Sequence, residues 1–297
     1  MHMSRRTFTR ALAAAGALSG AGLVRAEKPT SKILFGICAG PDKAAKLKEA
    51  GFEFIEGGVA GTFKPDKPDA EFAPELAKLK ASPLPMRSCN GFIPKTFPLT
   101  GPATQHDAAL EYAVTACRRA DEAGIPFIVL GSGGARKVPD GFDLAQGKAQ
   151  FIAFCQKLGD RIKDLQVTIV LEPLNMGETN SLNSVTEGIE YVDAIARPRI
   201  QLLADFYHML KENEGPDAIR KGGARIRHCH IAELEGRKAP GTKGEDLSPY
   251  FKALRDIGYC GGVSCECGWP KDNVEQAWKK AVERSEERRV GKECRSR

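Results

Sequence analysis

Four residues in this chain have the types and places to hold a divalent cation: Glu172, Asp205, His230 and Glu266. Each closes a short apolar run, in "TIVLE", "QLLAD", "RHCHI" and "VSCE" respectively. A buried strand gains nothing from a carboxylate or an imidazole at its tip, because burying a charge costs free energy unless something compensates it. Together they make three carboxylates and one imidazole, oxygen and nitrogen donors without a thiolate. That mixture suits Mn²⁺ best, with Mg²⁺ or Co²⁺ as alternatives, and leaves positions open for substrate oxygens. It does not suit a closed structural zinc site.

More residues stand just beyond these tips. Glu178 follows Glu172 by six in "LEPLNMGETN"; His208 follows Asp205 by three in "DFYHM", near enough to lean over a site. Arg237, in the segment after His230, has a guanidinium fork fit for a hydroxyl or a polarised carbonyl oxygen. His228 shares a strand face with His230 and is expected one layer deeper, as a satisfied core histidine in preference to a partner behind the ligands. "GSGGAR", 131–136, matches no phosphate-binding loop pattern and reads as a tight turn. Cys265 and Cys267 flank Glu266 and point away from it by strand alternation.

Stepping the pattern along the chain gives strands over 33–37, 54–57, 86–89, 127–130, 167–172, 200–205, 226–231 and 262–266. Amphipathic stretches follow each, over 43–50, 71–80, 104–123, 144–163, 185–196, 217–221, 247–257 and 274–282. Strand followed by helix, eight times, with no break in composition, predicts a parallel sheet closed into an α/β (β/α)₈ TIM barrel; an open doubly wound sheet is the weaker alternative. A barrel requires chemistry at the C-terminal ends of its strands. Alternation meets that demand: Thr168, Val170 and Glu172 share a face, as do Gln201, Leu203 and Asp205, His228 and His230, and Ser264 and Glu266.

The two ends differ from this body. Residues 1–26 carry twin arginines Arg5 and Arg6, an uncharged small-residue run and Val24-Arg25-Ala26, which resembles a bacterial twin-arginine export signal. The expectation is a periplasmic or exported protein whose catalytic domain spans 27–283. The apolar run is shorter than the ~20 residues of a spanning helix, so no stable membrane association is expected. Residues 284–297, "RSEERRVGKECRSR", resemble the conceptual translation of a sequencing adaptor and are expected to be non-native. The chain has 297 residues with 44 Lys and Arg against 38 Asp and Glu; the leader holds four arginines and no acid, and the tail six basic and three acidic residues, which leaves 34 against 35 between them. A body with net charge near −1 offers no electrostatic footprint for nucleic acid. Nine cysteines without a C-x-x-C motif read as buried free thiols.

"LEPLNMGETN", "LLADFYHM", "HCHIAELEGRKAPGTKGED" and "IGYCGGVSCE" together resemble the xylose-isomerase-like barrel superfamily, in particular its sugar isomerase and epimerase branch with the ketose 3-epimerases. The resemblance covers nearly all of 33–282. It implies one divalent metal held by Glu172, Asp205, His230 and Glu266, and substrate contacts from Glu178, His208 and Arg237. Two departures fall at the mouth: Met176 stands where ketose 3-epimerases usually have arginine, and "GTKGED" is one residue longer than the family's usual loop.

The reaction this implies is proton transfer next to a carbonyl through an enediolate, with Glu172 and Glu266 as catalytic acid and base on opposite walls. The expected partner is a small, unphosphorylated keto sugar, and a homo-oligomer is compatible with the sequence. A 3-keto-glycoside lyase or hydratase is the nearest rival. A non-catalytic periplasmic sugar-binding protein is the other. An endonuclease on the same barrel is disfavoured, since it would need more than the five histidines present and a basic groove.

Overall fold

The computed structural model describes residues 32–290, so the leader over 1–26 and the tail from Gly291 onward lie outside the described residues. Eight strands alternate with helices along the chain: β1 (Leu34–Cys38), β2 (Phe54–Gly58), β3 (Met86–Asn90), β4 (Phe127–Leu130), β5 (Thr168–Leu171), β6 (Ile200–Asp205), β7 (Ile226–Ile231) and β8 (Gly262–Cys265). The helices are α1 (Ala44–Glu49), α2 (Val59–Phe63), α3 (Asp69–Ala81), α4 (His106–Ala123), α5 (Gly133–Arg136), α6 (Leu144–Arg161), α7 (Val185–Ile195), α8 (Phe206–Lys211), α9 (Asp217–Gly222), α10 (Ser248–Asp256) and α11 (Val274–Val290). Every strand pairs in parallel with its sequence neighbours, and β1 closes onto β8 with Leu34 beside Gly262 and Gly36 beside Ser264. The (β/α)₈ barrel expected from the sequence is therefore the fold. Among the described residues no helix is long and apolar enough to cross a membrane.

Two apolar layers hold the barrel. The larger lies between strands and helices, where outward residues such as Ile55, Ile128, Ile169, Leu171 and Leu202 pack against Ala113, Phe154, Leu158 and Ile195. The smaller fills the interior: Val129, Val170 and Leu203, with Phe127 against them. Above this floor the interior turns polar, and the strand tips carry the titratable groups. Local sequence supports the helices that brace it. Asp143 caps α6 by accepting from Gln146 N–H at 2.8 Å, and Ser184 caps α7 by accepting from Glu187 N–H at 3.0 Å.

Register decides what meets at the mouth. Cys38 lies beside Glu56 across β1 and β2, Asp205 beside His230 across β6 and β7, and His230 beside Ser264 across β7 and β8. Irregularities in pairing fall between Ile55 and Glu56 and between Leu202 and Leu203. Bulges of this kind re-aim the side chains that follow them. Short helices α2, α5 and α8 were not anticipated, because five, four and six residues are too few to show a helical period. The last helix was expected over 274–282 and continues to Val290, with Ser285 buried and donating to the Val282 carbonyl at 2.8 Å.

Candidate metal centre

Glu172 lies one residue past β5, and Gly131 leaves room for its carboxylate. A Cβ on Gly131 would stand 2.2 Å from Glu172 Oε2. Asp205, the last residue of β6, also caps α8: its Oδ1 accepts from Tyr207 N–H at 2.8 Å. His230 is next to last on β7 and fully buried, and Glu266 lies one residue past β8. One donor atom from each of Glu172, Asp205, His230 and Glu266 lies within 4.8 Å of the others. Opposite oxygens around an octahedral ion with ~2.1 Å bonds are about 4.2 Å apart, so the cluster has the size of one coordination shell.

The electrostatics point the same way. His230 Nδ1 donates to Glu172 Oε1 at 2.8 Å and faces Glu266 Oε2 at 3.5 Å, while Nε2 donates to Glu56 Oε1 at 2.8 Å. Burial opposes its charge, but Glu56, Glu172 and Glu266 outweigh burial and hold the imidazole protonated well above its usual range. Burial raises Asp205 to about 6, with Glu266 adding and His230 opposing. Burial likewise raises Glu172, against the pull of His230. Glu266 is also buried, yet His230 and Arg237 bring it down to about 2. Asp205 Oδ2 is buried and has no hydrogen-bond partner among the described residues. An orphaned carboxylate oxygen inside a cluster of carboxylates and an imidazole fits a divalent cation.

The remaining residues singled out in the sequence gather at the same mouth. Arg237 bonds Glu266 Oε2, faces Asp205 Oδ2 at 3.7 Å and Glu178 Oε1 at 3.4 Å, and stacks over Tyr207 with its guanidinium carbon 4.7 Å from the ring centre. Glu178 also accepts from Asn175 Nδ2 at 3.0 Å. His208 is buried beneath: its Nδ1 accepts from the Asn175 backbone N–H at 3.1 Å, and Nε2 looks at Asp205 Oδ2 from 3.5 Å. His228 does lie one layer deeper than His230, with Nε2 donating to Glu56 Oε2 at 2.8 Å.

Several residues that matter here were not singled out in the sequence. Glu56 is the main one. Its carboxylate is buried and receives His230 on Oε1, and His228, Ser88 and Ser264 on Oε2. A carboxylate behind a ligand histidine fixes the ring's orientation and tautomer. The signal was present: Phe54, Glu56 and Gly58 alternate on one face, as Thr168, Val170 and Glu172 do. Asn90, closing β3, donates to Glu266 Oε1 at 2.9 Å. Arg136, the last residue of "GSGGAR", is fully buried and donates to the carbonyls of Gly131 at 2.6 Å, Glu172 at 2.9 Å and Ser181. The stretch read as a tight turn is a short helix that pins the Glu172 backbone. Buried Glu233 gathers the longer loop, accepting from the amides of Gly241 at 2.7 Å, Gly244 at 3.3 Å and Lys243.

A closed β/α barrel with a cation-sized cluster of oxygen and nitrogen donors at the C-terminal ends of its strands sets the class of protein. The chain belongs to the xylose isomerase-like TIM barrel family, whose model matches residues 44–288. An L-ribulose 3-epimerase from Methylomonas sp. (strain DH-1) is 34% identical over 122 residues, which is 41% of this chain and 42% of that protein. A ketose 3-epimerase from Arthrobacter globiformis is 35% identical over 123 residues, again 41% of this chain and 42% of that protein. The matched stretch thus spans about two fifths of these curated relatives. In three dimensions, D-psicose 3-epimerase from Clostridium cellulolyticum H10, solved with D-tagatose, superposes with a TM-score of 0.75 at 18% identity, over 86% of this chain and 98% of that one. A 3-keto-D-glucoside 4-epimerase from E. coli superposes with a TM-score of 0.73 at 20% identity, over 85% of this chain and 98% of that one. These two likenesses are of fold.

Proposed function

We propose that the protein is a divalent-metal-dependent epimerase or isomerase of unphosphorylated keto sugars, working by proton transfer next to the carbonyl. The observation that carries this reading is the placement of Glu172 and Glu266 three strands apart around one buried cluster, both facing His230 Nδ1, at 2.8 and 3.5 Å. A cation held by Glu172, Asp205, His230 and Glu266, with Mn²⁺ the best match to these donors, would supply Lewis-acid polarisation of the sugar carbonyl. The chain does the rest. One glutamate takes the proton from the carbon beside the carbonyl, and the electron pair moves into the enediolate. The other glutamate returns a proton to the opposite face, which inverts that centre.

Arg237 and Glu178 stand over the mouth, where a sugar's hydroxyls need a donor and an acceptor. Burial raises the Glu172 carboxyl above its usual range, the direction that suits a group exchanging protons. Two cations near the mouth are committed, Arg237 to carboxylates and Arg136 to backbone carbonyls, which supports a sugar without a phosphate. The names of the curated relatives, both 3-epimerases, support inversion. A keto-glycoside is the second reading, favoured by Met176, which is 59% exposed in the loop after β5 and offers an apolar side chain there. Export through the leader is likewise proposed, on the twin arginines, the small-residue run and Val24-Arg25-Ala26.

The test is isotope exchange. Metal-stripped protein reloaded with Mn²⁺ is incubated in D₂O with free ketoses and 3-keto-glycosides, and NMR follows deuterium next to the carbonyl. Exchange is expected to require the metal and to vanish in Glu172→Gln and Glu266→Gln; label with inversion at that carbon identifies an epimerase. Sugar binding without exchange on any substrate would leave a binding protein.

A further inference from the structure

The two ring nitrogens of His230 face different sets of ligands. Nδ1 looks at Glu172 and Glu266, Nε2 at Glu56. On the Nε2 side stands a group that the hard-donor cluster does not include. Cys38 closes β1, lies beside Glu56 in register and is only half-buried. Its Sγ, a Glu56 oxygen and a His230 nitrogen lie within 4.8 Å of one another. The sulfur accepts a long hydrogen bond from Asn90 Nδ2, at 3.8 Å.

We propose that Cys38, Glu56 and His230 form a second metal seat, selective for a thiophilic divalent cation such as Zn²⁺ or Cd²⁺, and that filling it excludes the hard cation from the neighbouring cluster. One thiolate, one imidazole and one carboxylate around a tetrahedral ion leave a fourth position for water. Thiolate ligation favours soft and borderline cations and gives little to Mn²⁺ or Mg²⁺. Glu56 is set up for the role: Oε2 is held by His228 and Ser264, each at 2.8 Å, and by Ser88 at 2.6 Å, whereas among the described residues Oε1 receives His230 alone. Zinc bonds of ~2.0–2.1 Å would put Nε2 and Oε1 about 3.3 Å apart. They stand 2.8 Å apart now, so admitting the ion takes roughly half an ångström of movement.

Exclusion follows from the imidazole. A neutral ring has one lone pair, so it serves a metal through one nitrogen and carries a proton on the other. With the hard cation on Nδ1, Nε2–H donates to Glu56; with the soft cation on Nε2, Nδ1–H donates to Glu172. Both tautomers are satisfied, and they cannot coexist. Binding at the soft seat releases the Cys38 thiol proton and one imidazolium proton to solvent, with no change of oxidation state. Burial and the charges of Glu56 and Glu266 keep that thiol protonated until a cation arrives.

The test needs no sugar, so it stands whether or not the epimerase reading does. Metal-stripped full-length protein is titrated with Cd²⁺ while ultraviolet absorbance follows cadmium–thiolate charge transfer. A second titration starts from Mn²⁺-loaded protein and follows release of free Mn²⁺ by EPR. The expected result is a charge-transfer band saturating at one Cd²⁺, with Mn²⁺ released in step; Cys38→Ser loses the band and resists release, and Cys267→Ser keeps both. A band that survives in Cys38→Ser, or Mn²⁺ release equal in the two chains, would overturn the proposal. The unaltered chain gives an independent reading: ¹¹³Cd NMR of the Cd²⁺-loaded protein should show one resonance moved downfield by a single thiolate ligand. A resonance at the position of oxygen and nitrogen ligation alone would also overturn it.

Discussion

Asp205 divides its two oxygens between two tasks. Oδ1 is fixed by the α8 cap, and Oδ2 is buried without a hydrogen-bond partner among the described residues, 3.5 Å from His208 Nε2 and 3.7 Å from Arg237. Burial raises its carboxyl to about 6. The sign follows from which form binds. A cation takes the ionised carboxylate, so Mn²⁺ affinity should rise with pH through about 6 and fall below it, by up to about tenfold per pH unit for each proton displaced. His230 adds to the slope, since its Nδ1 proton must also leave and the surrounding carboxylates hold that proton above the usual range. For the metal-free chain the sign is opposite. A raised carboxyl contributes stability at low pH that is lost as pH rises through its folded value. Mn²⁺ titrations between pH 5 and 8 measure the slope, which Asp205→Asn should flatten while weakening binding. An unchanged slope in that variant would remove Asp205 from the site.

Strands carry the ligands, but the loop between β5 and α7 depends on α5. Arg136 reaches from α5 to the carbonyls of Gly131, Glu172 and Ser181, and burial lowers its pKa to about 10. Arg136→Met keeps much of the volume and strands those carbonyls, which should cost about 3 kcal/mol of stability and weaken Mn²⁺ binding because the Glu172 backbone loses its anchor. Arg136→Lys should rescue little, since one ammonium cannot reach what a planar fork reaches. Urea unfolding and Mn²⁺ titration would show both effects, and a fully active rescue by lysine would assign Arg136 a charge role only. "GSGGAR" hid this from the sequence. Its glycines read as a turn, and nothing local says that the arginine ends inside the protein. The strands were legible to within a residue or so because each apolar run is bounded by polar or turn residues. The tips of β5 to β8 were legible because alternation fixes which residues face inward. Glu56 follows the same rule, yet its partners His228 and Ser264 lie 172 and 208 residues away and meet it only when the barrel closes.

Over the whole molecule, acidic and basic residues nearly balance between the leader and the tail, and the barrel mouth does not share that balance. Glu56, Glu172, Asp205 and Glu266 converge there against Arg237 and His230. Closing the barrel presses these carboxylates together. Part of the free energy gained by the apolar layers therefore offsets their repulsion and desolvation whenever no cation is bound. A cation that binds the folded chain and not the unfolded one returns that energy by mass action, about 2.7 kcal/mol at a hundredfold excess over Kd. For a domain of this size that is a rise in Tm of roughly 5–10 °C, reversed by a chelator. Scanning calorimetry with Mn²⁺ and with EDTA measures it directly. Asp205→Asn supplies the counterpart: its amide oxygen keeps the α8 cap while one buried negative charge is removed, so the metal-free variant should melt no lower than the metal-free parent, and Mn²⁺ should move it little. If that variant instead gained as much from Mn²⁺ as the parent, the stabilising cation would be bound elsewhere on the barrel.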